Sequence, residues 1–144
     1  MCAAPDFSDK TVQILMARAC MICCNPECST VTLGPSDAIG SLAIKLGEAA
    51  HIRAARPGPR FDDNMTDQQR AEPENGIWLC ASCHAMIDKN NGADFSRDTL
   101  LGWKQTHNAR SLSTPDKLDA HAHDGTLGDY WKMPRNCDGD RRQG

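Results

Sequence analysis

Two clusters of cysteine constrain this chain more than any other feature. Cys80 and Cys83 stand two residues apart, the knuckle spacing that lets two thiolates reach one tetrahedral zinc. Some fifty residues upstream, Cys20, Cys23, Cys24 and Cys28 crowd together and offer Cys20-x2-Cys23, Cys24-x3-Cys28 or Cys23-x4-Cys28 as the second pair. Four thiolates leave no coordination position for water, so zinc held this way is structural. Cys2 and Cys137 lie near the ends and are expected to be free. Composition shows why a staple is needed. The chain has 144 residues, 40% of them apolar, with three Trp, three Phe and one Tyr, enough for one domain with a thin core.

Disulfides are the competing use of eight cysteines. The opening residues MCAAPDFSDK lack the basic start and apolar run of a signal peptide, so a cytoplasmic, metal-binding chain is expected. No stretch approaches the roughly 20 apolar residues that span a membrane, and no membrane association is expected. The net charge of −3 argues mildly against bulk electrostatic binding of nucleic acid. Yet Arg53, Arg56 and Arg60 follow His51 with no acid among them, a stretch that could face phosphates or simply be a solvated loop.

Periodicity and caps predict a helix over 9–19, started by Ser8 or Asp9, with Val12, Leu15, Met16 and Ala19 on one face. Residues 20–36 read as a knuckle and loop. Residues 41–53, centred on Gly47, read as a strand or bent hairpin arm, with helix as the alternative because alanine is frequent. A loop over 54–64, a short helix over 66–72 capped by Thr66, and a turn at Asn75-Gly76 follow. Ile77, Trp78 and Leu79 form a β-prone run. Helices are expected over 81–89, closed by Asn90-Asn91-Gly92, and over 96–108, capped by Ser96. From Ser111 the chain turns polar, which divides it into a domain over 1–110 and a tail over 111–144 with little packed structure.

His84 follows the knuckle directly, and Asp88 lies one helical turn on, so both project from one face. Such a pair can hold a divalent ion, although it is also a common solvated surface contact. His51 sits among apolar neighbours, Ala49-Ala50-His51-Ile52, where a lone histidine usually has no chemical role.

The series His51, Asn75, His84, Asp88, with the string Asn75-Gly-Ile-Trp-Leu-Cys80-Ala-Ser-Cys83-His84, resembles the zinc-stapled branch of the HNH (ββα-metal) nucleases. The closer resemblance is to the N-terminal nuclease domain of HNH–SAVED effectors, which serve bacterial cyclic-oligonucleotide anti-phage systems. It runs over residues 11–108, through Gly47-Glu48-Ala49-Ala50-His51-Ile52, Pro59-Arg60-Phe61-Asp62, Asn64-Met65-Thr66 and Leu101-x-Trp103-Lys104. It implies an α+β fold: a small zinc-stapled ββα-metal domain with flanking helices. It also implies Cys23, Cys28, Cys80 and Cys83 as zinc ligands. His51 would be general base, Asn75 the residue that orients it, and His84 with Asp88 the ligands of magnesium or a similar ion. Arg53, Arg56 and Arg60 would contact the DNA backbone. The implied activity is metal-dependent endonucleolytic hydrolysis of double-stranded DNA with low sequence specificity, in anti-phage defence, in a chain that could self-associate. Many relatives carry an acidic ligand just before the first histidine. Ala50 stands there, so either His84 and Asp88 suffice with waters or Glu48 contributes. The effectors' cyclic-nucleotide sensor is expected to be absent, since residues 111–144 are too short and polar for one. A non-catalytic zinc module that binds nucleic acid or protein would explain the cysteines equally well, but not the histidines, Asn75 and Asp88 at this spacing.

Overall fold

The computed structural model describes residues 6–112; the expected polar tail, apart from Ser111 and Leu112, lies outside them. The fold is α+β. Helix α1 (Asp9–Arg18) starts where the sequence places a cap, with Ser8 Oγ accepting the Thr11 amide at 3.1 Å. After α1 the chain reverses through Cys20 and Met21, both left-handed at φ 53° and 59°, and enters the cysteine loop.

Two antiparallel pairs follow. Strands β1 (Leu33–Pro35) and β2 (Ala43–Lys45) form a short hairpin. Strands β3 (Gly47–His51) and β4 (Gly76–Cys80) form the central pair, with Gly47 opposite Cys80 and His51 opposite Gly76. The strand reading of 41–53 therefore holds over the helical one. One local expectation changes: residues 20–36 are not loop throughout, since β1 lies within them. The turn at Asn75-Gly76 is the end of a 3-10 turn (Pro73–Asn75) that closes a long connection from Ile52.

That connection is organised by buried arginine. Helix α2 (Asp67–Arg70) carries a capping box between Thr66 and Gln69. Its last residue, Arg70, is 3% exposed, donates to the carbonyls of Ala54, Asp62 and Met65, and lies over the Phe61 ring. Loop carbonyls buried there need donors, and one guanidinium supplies them. Helices α3 (Ala81–Asp88) and α4 (Arg97–Leu112) complete the domain. A left-handed run at Asn90, Asn91 and Gly92 ends α3.

The core centres on β4, whose Ile77, Trp78 and Leu79 are all buried, together with Leu15, Ile52, Ile87 and Leu100. Two glycines permit this packing. A Cβ at Gly47 would run into the Trp78 indole, and one at Gly76 into the Leu15 side chain. The buried indole N–H is satisfied by Thr32 Oγ1 at 2.8 Å, and that hydroxyl donates to Met21 O at 2.7 Å. No helix among the described residues is long and apolar enough to cross a membrane.

Candidate functional site

The fold gathers two sets of donor side chains at the junction of β4 and α3. The first is sulfur. Cys23 and Cys28 come from the loop after α1, Cys80 ends β4, and Cys83 lies in the first turn of α3. Their Sγ atoms all lie within 4.8 Å of one another. A tetrahedron with Zn–S bonds of about 2.3 Å has edges of about 3.8 Å, and Cys28 and Cys80 sulfurs stand 3.9 Å apart. Of the three upstream pairs left open by spacing, the fold assembles Cys23-x4-Cys28. Cys20 is exposed in the left-handed reversal and Cys24 is buried outside the cluster, its thiol pushed up to about 11 by burial.

Donors surround the sulfurs: Asn25 Nδ2 reaches Cys83 Sγ at 3.4 Å, and the Cys83 amide reaches Cys80 Sγ at 3.4 Å. Burial pushes the Cys23 thiol well above the usual range and raises that of Cys83, whereas the Thr30 hydroxyl and amide hold Cys28 down to about 7. Four neighbouring thiols, two of them resisting ionisation by burial, ionise together only beside a cation. This donor set could hold zinc.

The second set is nitrogen and oxygen. His51 ends β3, and Phe7 lies flat against its ring, with centroids 4.0 Å apart and an interplanar angle of 13°. Asn75, 2% exposed, clamps the chain just after His51. Its Oδ1 accepts the Arg53 amide at 2.8 Å. Its Nδ2 donates to Arg53 O at 2.9 Å and Arg70 O at 3.0 Å, and its carbonyl accepts the Ile52 amide at 2.8 Å.

His84, the residue after Cys83 in α3, is flanked by two carboxylates. Glu48 Oε2 meets its Nδ1 in a short contact, and Asp88 Oδ2 lies 3.4 Å from its Nε2. Imidazole nitrogen with carboxylate oxygen is a donor set that suits a hard divalent cation. His51 and His84 line the same two openings: a cleft of about 310 Å³ shared with Arg56 and Asp88, and a groove of about 1010 Å³ that runs past Glu48 to Cys28 and Cys80.

The three arginines expected at phosphates separate. Arg60 is 5% exposed, with Nη1 on Ile87 O at 3.0 Å and Nη2 on Asp88 Oδ1 at 2.8 Å, so it holds the end of α3 from inside instead of facing solvent. The reason is local: Ile87 O needs a donor, and a charged fork beside a carboxylate provides it. Arg53 pairs with Asp62 at 3.3 Å, and Arg97 reaches the same carboxylate at 3.1 Å. The Asn64 amide first, and then these arginines, hold the Asp62 pKa below the usual range. Only Arg56 of the three points its segment at the cleft without such an ion pair among the described residues. Sequence reasoning did not foresee the inward turn of Arg60 or the ring against His51. Nothing in a Pro-Gly-Pro-Arg loop marks its arginine as buried.

Residues 20–91 match a family model described as HNH endonuclease, a stretch that takes in both cysteine pairs, His51, Asn75, His84 and Asp88. No curated protein matches the chain.

Proposed function

Because the chain belongs to the HNH endonuclease family, whose members hydrolyse DNA, we propose that it cuts double-stranded DNA with His51 as general base. The observation that carries this reading is the convergence of His51 and His84 on one cleft, beside Asp88, Arg56 and Arg60. His84 with Asp88 would hold the divalent ion, magnesium by the hardness of its oxygen donors, and Glu48, on the other ring nitrogen of His84, would fix the direction of the imidazole. When bound, that ion supplies stabilisation of negative charge on the leaving oxygen.

The chain's own residues do the rest. Neutral His51 takes a proton from water, whose oxygen attacks phosphorus as the bond to the leaving oxygen breaks. Asn75 holds the backbone at Ile52 and Arg53, so the end of β3 keeps its direction while the base works. Arg56, with Arg53 behind it, meets the DNA backbone, which places the duplex without reading bases and gives low sequence specificity. Arg60 serves from inside, through Asp88.

The match of Gly47-Glu48-Ala49-Ala50-His51-Ile52 and its companions supports a place beside the nuclease domains of HNH–SAVED effectors, with an anti-phage role in the cytoplasm and activity raised by pairing of two copies. In this reading residues 1–110 are the nuclease domain and 111–144 an appended tail. The test is cleavage of supercoiled plasmid with magnesium or manganese by the parent and by His51→Ala. Nicking lost in the variant supports the assignment, and equal nicking removes it.

A further inference from the structure

We propose that Phe7 is a positioning residue for this reaction, fixing the plane in which His51 presents its ring nitrogens; this rests on the reading of His51 as the base. The Phe7 ring lies parallel to the imidazole, 4.0 Å between centroids and 13° between planes. The last torsion of a histidine is broad and soft. A base at the end of a strand therefore needs a flat neighbour to define its ring plane, and a face-on aromatic does this by covering the ring face alone. His51 still lines both the small cleft and the larger groove.

Phe7 leads into a capped helix start. It precedes the Ser8 cap, and Ser8 Oγ and Thr11 Oγ1 lie 3.0 Å apart at the helix start. One turn further, Leu15 packs on Gly76, the residue opposite His51 in the β3–β4 register. Helix α1 is thus seated on the strand position that faces His51, and Phe7, just before its cap, reaches the ring. Phe7 is half-buried and packs against the core. It lies outside residues 20–91, so this contact is supplied by a segment that the shared family domain does not include.

The test uses the full chain with Phe7→Leu, which keeps an apolar side chain but no ring, and Phe7→Tyr, which keeps the ring. His51→Ala is assayed in parallel. The expected result for Phe7→Leu is a kcat lower by about 10–100-fold, the scale of a small misplacement of a reacting group, with KM unchanged. The upfield ring-current shift of the His51 ring protons in the NMR spectrum should be lost as well. Phe7→Tyr should restore both. A Phe7→Leu enzyme that cleaves at the parent rate, while His51→Ala is inactive, overturns the role of Phe7 alone. Loss of activity that Phe7→Tyr does not rescue, with zinc and thermal stability lost in step, also overturns it, because Phe7 would then only support the fold. If His51→Ala cleaves as the parent does, the assignment of the base falls and takes this proposal with it.

Discussion

Cys83 and His84 are neighbours in the chain, yet they serve donor clusters of opposite design. A helical step of about 100° sends one inward and the other outward. Cys83 is 7% exposed and joins three sulfurs that converge on one point. His84 stands at the rim of a cleft with a carboxylate on each edge of its ring, and one of those carboxylates is already engaged by Arg60. The sulfur cluster is closed by its own ligands. The nitrogen and oxygen cluster stays open toward solvent. A structural ion needs the first arrangement and a reacting phosphate needs the second. One short strand-helix junction thus carries a sulfur cluster and a cleft together, with Cys80 standing where the helix begins.

If the comparison is right, the two clusters fail in different ways. The largest effect is expected at the closed one. Cys80→Ser, or removal of zinc by a strong chelator, should unfold the domain, since zinc binding to such sites is worth about 10–16 kcal/mol and is itself folding energy. Metal analysis should find about one zinc per chain, and circular dichroism should follow its loss. A domain that stays folded with no bound metal would show that the sulfur cluster is not a staple.

At the open cluster the fold should survive and the chemistry should not. His51→Ala is expected to lower the cleavage rate by about 10²–10⁴-fold while zinc content and melting temperature stay near the parent's. Unfolding in that variant would mean that the cleft, like the knuckle, is part of the staple.

Arg60→Met probes the contact that ties the cleft to the interior. It leaves Ile87 O without its donor and should cost about 1–3 kcal/mol by urea denaturation. It should also weaken manganese binding measured by titration, because Asp88 loses its partner. Unchanged stability and unchanged manganese affinity would show that Arg60 holds nothing in place.

The smallest effect concerns Lys104, whose Nζ donates to Pro73 O at 2.7 Å, just before Asn75, and which interacts electrostatically with Cys24 beside the knuckle. Burial, with repulsion from Arg18, lowers its pKa from 10.5 to about 8. Between those values the unfolded chain binds more protons than the folded one, so stability rises with pH across that window and is flat with respect to this group below it. Cys24, pushed up to about 11, acts in the opposite sense above pH 9. The readout is therefore the difference in slope between the parent and Lys104→Met, determined from denaturation curves at several pH values. Equal slopes would remove Lys104 from the account.

Local chemistry was legible in the sequence. Ser8 and Thr66 as caps, the left-handed stop at Asn90 and Asn91, the buried run of Ile77, Trp78 and Leu79, and the i, i+4 pair of His84 and Asp88 all depend on residues within a turn or two of each other. The Cys80-x2-Cys83 knuckle is of the same kind. Spacing alone left three upstream cysteine pairs open, because a flexible loop can close any of them at nearly the same entropic cost. The choice of Cys23 and Cys28 came from the left-handed reversal that turns Cys20 to solvent, and from the hydrogen bond of the Cys24 amide to Trp78 O. Short β1 was hidden because three residues carry no period. Arg60 met Asp88, and Phe7 met His51, only through tertiary structure. These partners lie 28 and 44 positions away in sequence, and such meetings follow from how the strands and helices pack around β4, which no local pattern encodes.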